Sequence, residues 1–464
     1  MGEQADTADS GVKASYVSAV ATAALCGLAI RIGYAVGWRW DRGLLYDGPV
    51  YRNRAQSLIA GRSFLDPDAW FFHGRISEGA VHPPGNTLWL ALGDLLGIHT
   101  NKGLQIWGCI LGTATIIVIA ELARSIAGNR AGILAAAIAA IHPGLWSYDP
   151  TAMAETPGQF ATAVTLLLTY RFWKSPSAAR AAWLGGAAAC AALVRSELLL
   201  MIPILVIPVC FAAKGTFKQS MVRIGAAVLW IVMILGPWVG WNMVRFEHPV
   251  TMATGLEVSL SYAQCDQTWY GPTTGYWTVF CGQNIRDEVK DKYIDESELG
   301  DLYRKQAGAY IRDHKSRWPV VTAARVGRTL TIYHPSQQMT LERNRESREL
   351  GVLWAATLTT WTLAILAGVA FWKPPRTRRG LYPLLAPLAA GLAGAAITFG
   401  TSRYRSAGEV GLVVLGALGI DALVRLSRGR APQNRPLSSP PIAQGADVDA
   451  SDEPLTLDRG EVRG

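Results

Sequence analysis

The residues that could carry chemistry are few, and they stand at the ends of apolar segments. Asp47 follows the first segment, in Tyr46-Asp47-Gly48-Pro49-Val50-Tyr51. Glu155 opens the fourth, in Ala152-Met153-Ala154-Glu155-Thr156-Pro157. Arg195 and Glu197 join the fifth to the sixth, Asn242 and Arg245 close the seventh, and Arg403 and Arg405 join the ninth to the tenth. A carboxylate can take the proton of an attacking hydroxyl. A guanidinium can hold two oxygens of a phosphate at once. Both are costly beside hydrocarbon and mark functional sites there by default. Each also admits a structural reading. Glu155 suits a helix N-terminus, Arg195 and Glu197 can pair with each other, and Arg403 and Arg405 can anchor an interface. Their common side of the membrane argues for a shared site.

Other chemistry has no signature. There is no Walker A sequence, no His-Glu-x-x-His and no dinucleotide-binding glycine fingerprint. The seven histidines are scattered without ligand spacing, so no metal site is expected from them. Asp66-Pro67-Asp68 has the spacing of a metal-sugar Asp-x-Asp motif but reads as a turn. No cofactor is expected.

The segments that must position these residues are membrane spans. The 464-residue chain is 50% hydrophobic and 17% charged, against about 25% charged in soluble proteins. Uncharged runs such as Ile110 to Ala120, Leu353 to Phe371 and Val410 to Ile420 imply an all-α polytopic membrane protein. Ten spans are read: 16–38, 104–124, 131–146, 156–172, 178–193, 198–213, 224–243, 351–372, 381–399 and 408–424. Residues Pro83 to Gly97, too short to cross, are read as a juxtamembrane or re-entrant helix. This count makes every inside loop basic, with both termini inside. Residues 1–15 are then a cytoplasmic tail, and two long regions, 39–103 and 244–350, lie outside. The second is long enough to carry structure of its own, with surface helices expected within Asp287 to Tyr310. Residues 427–464 turn to Pro, Ser, Asp and Gly and are read as a disordered cytoplasmic tail. The net charge of +9 sits in these loops, and no nucleic-acid-binding signature accompanies it. Of six cysteines, Cys265 and Cys281 share the second outer region. An oxidising exterior favours their pairing, and closing that loop stabilises by about 3 kcal/mol on chain entropy.

The polar residues also fall in a familiar order. Asp-Gly-Pro-x-Tyr (Asp47 to Tyr51) is followed by His-Pro-Pro-Gly (His82 to Gly85) and Met-Ala-Glu (Met153 to Glu155). Val-Arg-x-Glu-Leu-Leu (Val194 to Leu199), Pro-Trp-x-x-x-Asn-x-x-Arg-Phe-x-x-Pro-Val (Pro237 to Val250) and Arg403-Tyr404-Arg405 complete it. The series resembles the GT-C membrane glycosyltransferases, in particular the protein O-mannosyltransferase and aminoarabinose transferase group. Many relatives have Asp-Glu where this chain has Asp47-Gly48, which leaves one carboxylate there. The resemblance implies an inverting transfer of a sugar from a polyprenyl phosphate to an extracytoplasmic hydroxyl, at the plasma membrane. Asp47 would be the base. Arg403 and Arg405, with Arg245, Arg325 and Arg328, would be candidates for the phosphate. Tyr51, His82, Glu155, Arg195 and Glu197 would shape the substrate site, and the oily donor tail would lie between spans. A lipid-linked sugar flippase is the alternative. Transporters, however, place polar groups near the midplane, often in repeated halves, and no repeat is found here.

Overall fold

The computed structural model describes residues 2–429 except 45, 67–73, 75, 291 and 375–377. The turn reading of Asp66-Pro67-Asp68 therefore falls mostly, and the tail from residue 430 wholly, outside the described residues. Apart from one isolated antiparallel bridge, Leu65 to Glu78, the described residues hold only helices and connections. The principal helices are α1 (Gly2–Tyr34), α2 (Gly48–Ile59), α3 (Gly85–Leu95), α4 (Asn101–Ala127), α5 (Asn129–Ile141), α6 (Glu155–Lys174) and α7 (Ala178–Val194). They are followed by α8 (Phe217–Arg245), α9 (Glu296–Asp313), α10 (Trp318–Thr329), α11 (Pro335–Glu346), α12 (Leu350–Trp372), α13 (Ala386–Ile397) and α14 (Ser406–Ser427).

The fold is an all-helical bundle, but ten spans is not the count it shows. Among the described residues, six helical stretches are long and apolar enough to cross a membrane: Ala14–Arg39, Asn101–Ala127, Phe217–Arg245, Leu350–Trp372, Gly380–Ile397 and Ser402–Ser427. A seventh results if α5 and the segment Pro143–Thr151 are one span bent by 59°. The other expected spans have physical reasons to fall short. Residues Ser196–Ala212 form one shorter apolar helix, whose geometry passes from 3-10 through π to α around Pro203 and Pro208. α7 has 17 residues, about 26 Å of helix against a core of about 30 Å. α6 is too polar along its buried face, where Thr156, Gln159, Thr162, Thr165 and Thr169 lie against neighbouring helices. Thr165 and Thr169 satisfy their hydroxyls on the carbonyls of Ala161 and Thr165. A reading from apolar runs alone accepts shorter and more polar segments as spans, hence its higher count. α1 is helical from Gly2, and its apolar stretch begins at Ala14.

The core is built from small residues. Buried alanines of α4, α5, α6, α7 and α14 pack with Ile116, Leu166, Leu184, Val413 and Leu415 into one cluster. Two glycines of α4 admit the chain that carries the α6 N-terminus. A Cβ on Gly108 would lie 2.0 Å from the Asp149 carbonyl oxygen, and one on Gly112 2.0 Å from the Asp149 carboxylate. Seated there, Asp149 accepts hydrogen bonds from Arg31 Nε at 2.7 Å and Thr156 Oγ1 at 2.8 Å. That buried pair fixes the residues just before Glu155.

The two long connections meet at one end of the bundle. Arg54 of α2 reaches Glu296 of α9 at 3.4 Å, and Glu296 also accepts the Ala80 N–H at 2.6 Å and the Thr254 hydroxyl at 2.8 Å. Surface helices Gln283–Val289 and α9 occupy the charged stretch of the second connection. A disulfide joins Cys265 to Cys281. α3 has 11 residues, about 16 Å, and lies against α2 instead of running through the bundle. α4, with 27 residues, spans about 40 Å before Gly128 ends it. Single cysteines at Asn101 and Asn129, in a protein lacking its native cysteines, should therefore label from opposite membrane sides. Labelling from the same side would show that α4 does not cross.

Candidate active site

The first connection, α6, the α7 exit and the α13–α14 turn meet in one chain of ion pairs. Arg403 Nη2 donates to Asp47 Oδ2 at 2.9 Å, and its Nε to Glu155 Oε1 at 2.7 Å. The same Glu155 oxygen accepts Arg195 Nη1 at 2.6 Å, and Arg195 Nε reaches Glu197 at 2.6 Å. The five residues come from four distant parts of the sequence. Local structure explains each placement. Asp47 immediately precedes α2, whose Pro49 suits a first helical turn. Glu155 is the first residue of α6, where the helix dipole favours a carboxylate. Arg195 is in extended conformation just past α7. Arg403 lies in the short turn Ser402–Arg405 before α14.

The accessible end of this chain is Asp47. Its side chain is 19% exposed and that of Arg403 16%, while Glu155 is fully buried. Glu155 Oε2 is buried without a hydrogen-bond partner, an acceptor left over after both arginines bind the other oxygen. Tyr51 stacks on His82 with ring centroids 4.6 Å apart. Burial pushes the His82 imidazole down to about 4, so it is neutral near pH 7 and works as a polar wall, not a cation.

The remaining candidate arginines are committed elsewhere. Arg405 turns into the bundle, to Glu409 at 2.8 Å and to the Thr329 carbonyl. Arg245 binds Glu78 at 2.5 Å and the Gly79 carbonyl at 3.0 Å, with its guanidinium 3.9 Å from the Trp241 ring centre. It stitches the first connection to the end of α8. Arg325 donates to the Ala396 and Ile397 carbonyls at the C-terminus of α13, each at 3.1 Å. Arg328 donates to the Thr274 carbonyl at 2.6 Å and to Gln337 and Gln338. Neither has a carboxylate among these partners, and burial pushes each down to about 10.

A second polar cluster, absent from the sequence reading, supports Arg403 from behind. Glu342, fully buried, accepts the Ser402 backbone N–H at 2.8 Å and the Ser402 hydroxyl at 2.6 Å. Arg348 donates to Tyr148 Oη at 2.9 Å, Ser147 Oγ at 3.2 Å and Ser402 Oγ at 3.2 Å. This links the Ser402 turn to the segment leading to Glu155. Glu346 lies beside it, 3.9 Å from Arg348 and 3.4 Å from the Thr401 hydroxyl. The sequence signal was Glu342-x-x-x-Glu346-x-Arg348, carboxylates one helical turn apart. It was hidden by the high charge of its surroundings. Among the described residues, no group of three or more His, Cys, Asp or Glu is placed to hold a metal ion.

Comparison with known proteins agrees with this geometry in fold. Residues 81–241 match the model of the dolichyl-phosphate-mannose-protein mannosyltransferase family. That match holds His82, Glu155, Arg195 and Glu197 but neither Asp47 nor Arg403. Over 93% of its length the chain superposes on the archaeal oligosaccharyltransferase AglB from Archaeoglobus fulgidus, solved with an inhibitory peptide and a dolichol-phosphate. The TM-score is 0.56 at 15% identity, and 53% of AglB is covered. The Archaeoglobus fulgidus oligosaccharyltransferase tethered to an acceptor peptide gives 0.55 at 16% identity, with 89% of this chain and 50% of that one covered. The chain has a GT-C-like fold. It spans about half the length of the solved structures it matches, and at these identities the likeness is one of fold. No curated protein matches the sequence significantly.

The second cluster makes a pH prediction. Burial, with Glu342 close by, pushes the Glu346 carboxyl up to about 7. A carboxyl raised in the folded state binds more protons there than in the unfolded chain, so its contribution falls as pH rises from about 4.5 to about 7. Glu346→Gln should match wild type in thermal stability at pH 5 and exceed it progressively up to pH 8. Melting temperatures of both proteins in one detergent, measured at each pH, check this. A constant difference across the range would place the Glu346 charge outside the buried cluster.

Proposed function

We propose that this protein is an inverting membrane glycosyltransferase that moves a sugar from a polyprenyl phosphate to a hydroxyl of an extracytoplasmic acceptor. The observation that carries the reading is the Asp47–Arg403–Glu155–Arg195–Glu197 chain, which ends in a part-exposed carboxylate beside an arginine of similar exposure. The matching family and the AglB fold support it. A fixed carboxylate next to a cation at a membrane surface suits displacement at an anomeric carbon with a lipid phosphate leaving. The acceptor oxygen attacks that carbon, and Asp47 takes its proton as the new bond forms. The bond to the phosphate oxygen breaks and its electron pair stays on the phosphate. Of the candidate arginines, Arg403 is the one beside Asp47. It is the group in this chain that can meet the developing phosphate charge, by loosening its hold on a carboxylate. Glu155 is fully buried and holds Arg403 and Arg195 in position. In this reading the site faces the outer side of the plasma membrane, and no metal or cofactor enters the scheme.

Asp47→Asn keeps the shape of the side chain and an oxygen that can accept from Arg403, but removes the base. Turnover should fall by roughly 10²–10⁴, the range for lost general acid–base catalysis, while expression and donor binding stay near wild type. Measured with purified protein and a polyprenyl-phosphate sugar, more than a tenth of wild-type turnover in this variant would remove Asp47 as the base.

A further inference from the structure

Tyr46 carries a backbone conformation that its residue type resists. Its φ is +45°, in the left-handed region where a Cβ meets the neighbouring carbonyl. Residues other than glycine keep such conformations only where the surroundings impose them, and they cluster at ligand sites. The ring is held from two sides. It meets Trp277 edge-on with centroids 6.0 Å apart, and the Arg403 guanidinium lies 5.6 Å from its centre. Trp277 itself is 5% exposed and immobilised by Tyr262, Tyr276 and Phe399, within the loop closed by Cys265 and Cys281. Yet Tyr46 remains 43% exposed. The result is a large aromatic ring, backed by a rigid wall, left open to solvent at the residue before Asp47.

Core packing does not account for that placement, because a residue serving the core would be buried. Lipid anchoring fits poorly as well, since the ring shares Arg403 with Asp47 and lies among charges. A pyranose suits the combination. One face of the sugar ring presents C–H groups, which complement the negative face of an aromatic ring, while its hydroxyls need the polar groups around it. We propose that Tyr46 is the platform on which the pyranose of the donor lies, and that it makes the site prefer a sugar-bearing lipid phosphate over the bare one. This rests on the polyprenyl-phosphate reading above. The ring and the Asp47 carboxylate both lie against the Arg403 guanidinium, so that a sugar on the ring presents its anomeric carbon near the base.

The test compares the full-length protein and its Tyr46→Phe, Tyr46→Leu and Tyr46→Gly variants for binding of dolichyl-phosphate mannose and of dolichyl phosphate. Glycine accepts the left-handed backbone without strain, so Tyr46→Gly removes the ring and keeps the fold. Wild type and Tyr46→Phe should bind the mannosylated lipid more tightly than the bare lipid by roughly three- to tenfold, the scale of one aromatic contact. Tyr46→Gly and Tyr46→Leu should bind both lipids alike, with affinity for the bare lipid unchanged. A preference that survives in Tyr46→Gly, or is absent from wild type, overturns the platform while leaving the lipid-phosphate reading intact. If wild type binds neither lipid, that reading falls and the platform with it.

Discussion

A guanidinium placed at the edge of an apolar bundle must be neutralised, because the cost of an unpaired buried charge exceeds what most single contacts return. Arg403 meets this condition with two carboxylates, Asp47 and Glu155, that lie far from it in sequence. The requirement ties the start of α2, the start of α6 and the turn before α14 to one point. Other parts of the structure serve that junction. Gly108 and Gly112 let Asp149 sit against α4, so that Glu155 arrives in place. Glu342 and Arg348 hold the Ser402 turn from the far side. The same pairing leaves Asp47 partly exposed beside a cation, which is the arrangement that glycosyl transfer from a lipid phosphate would use.

The arginines divide into two kinds that the sequence does not separate. Arg245, Arg325, Arg328 and Arg405 are the same residue type as Arg403, yet each is enclosed by partners that hold structure together. Arg325 and Arg328 sit among carbonyl dipoles, Arg245 stitches two connections, and Arg405 pairs with Glu409 four residues on. What distinguishes Arg403 is that its partners come from the segments that carry the exposed carboxylate. That is a property of three-dimensional convergence, which a single chain shows only through the order of its motifs.

The class of fold was legible because long uncharged runs have one common explanation. The residues of the ion-pair chain were legible because charges at the ends of such runs are rare. Other features were not. Residues 131–213 read as spans three to six, but α5 is bent against the segment after it, and α7 and residues Ser196–Ala212 are shorter than the six long apolar helices. The Glu342–Arg348 cluster was masked by the charge of Leu341 to Glu349, which reads as a solvated surface until Ser402 and Tyr148 are seen packed on it. In the sequence Tyr46 stands out only as the neighbour of Asp47, since backbone strain at a tyrosine has no sequence signature.

The central claim is that Asp47 and Arg403 act as one unit. A double-mutant cycle on turnover of a polyprenyl-phosphate sugar, with Asp47→Asn, Arg403→Gln and the pair combined, measures it most directly. Residues that act together lose activity non-additively. The account predicts that each single variant is severely impaired and that the double variant is about as slow as the slower single one. Additive losses, or near-wild-type turnover in Arg403→Gln, would contradict it.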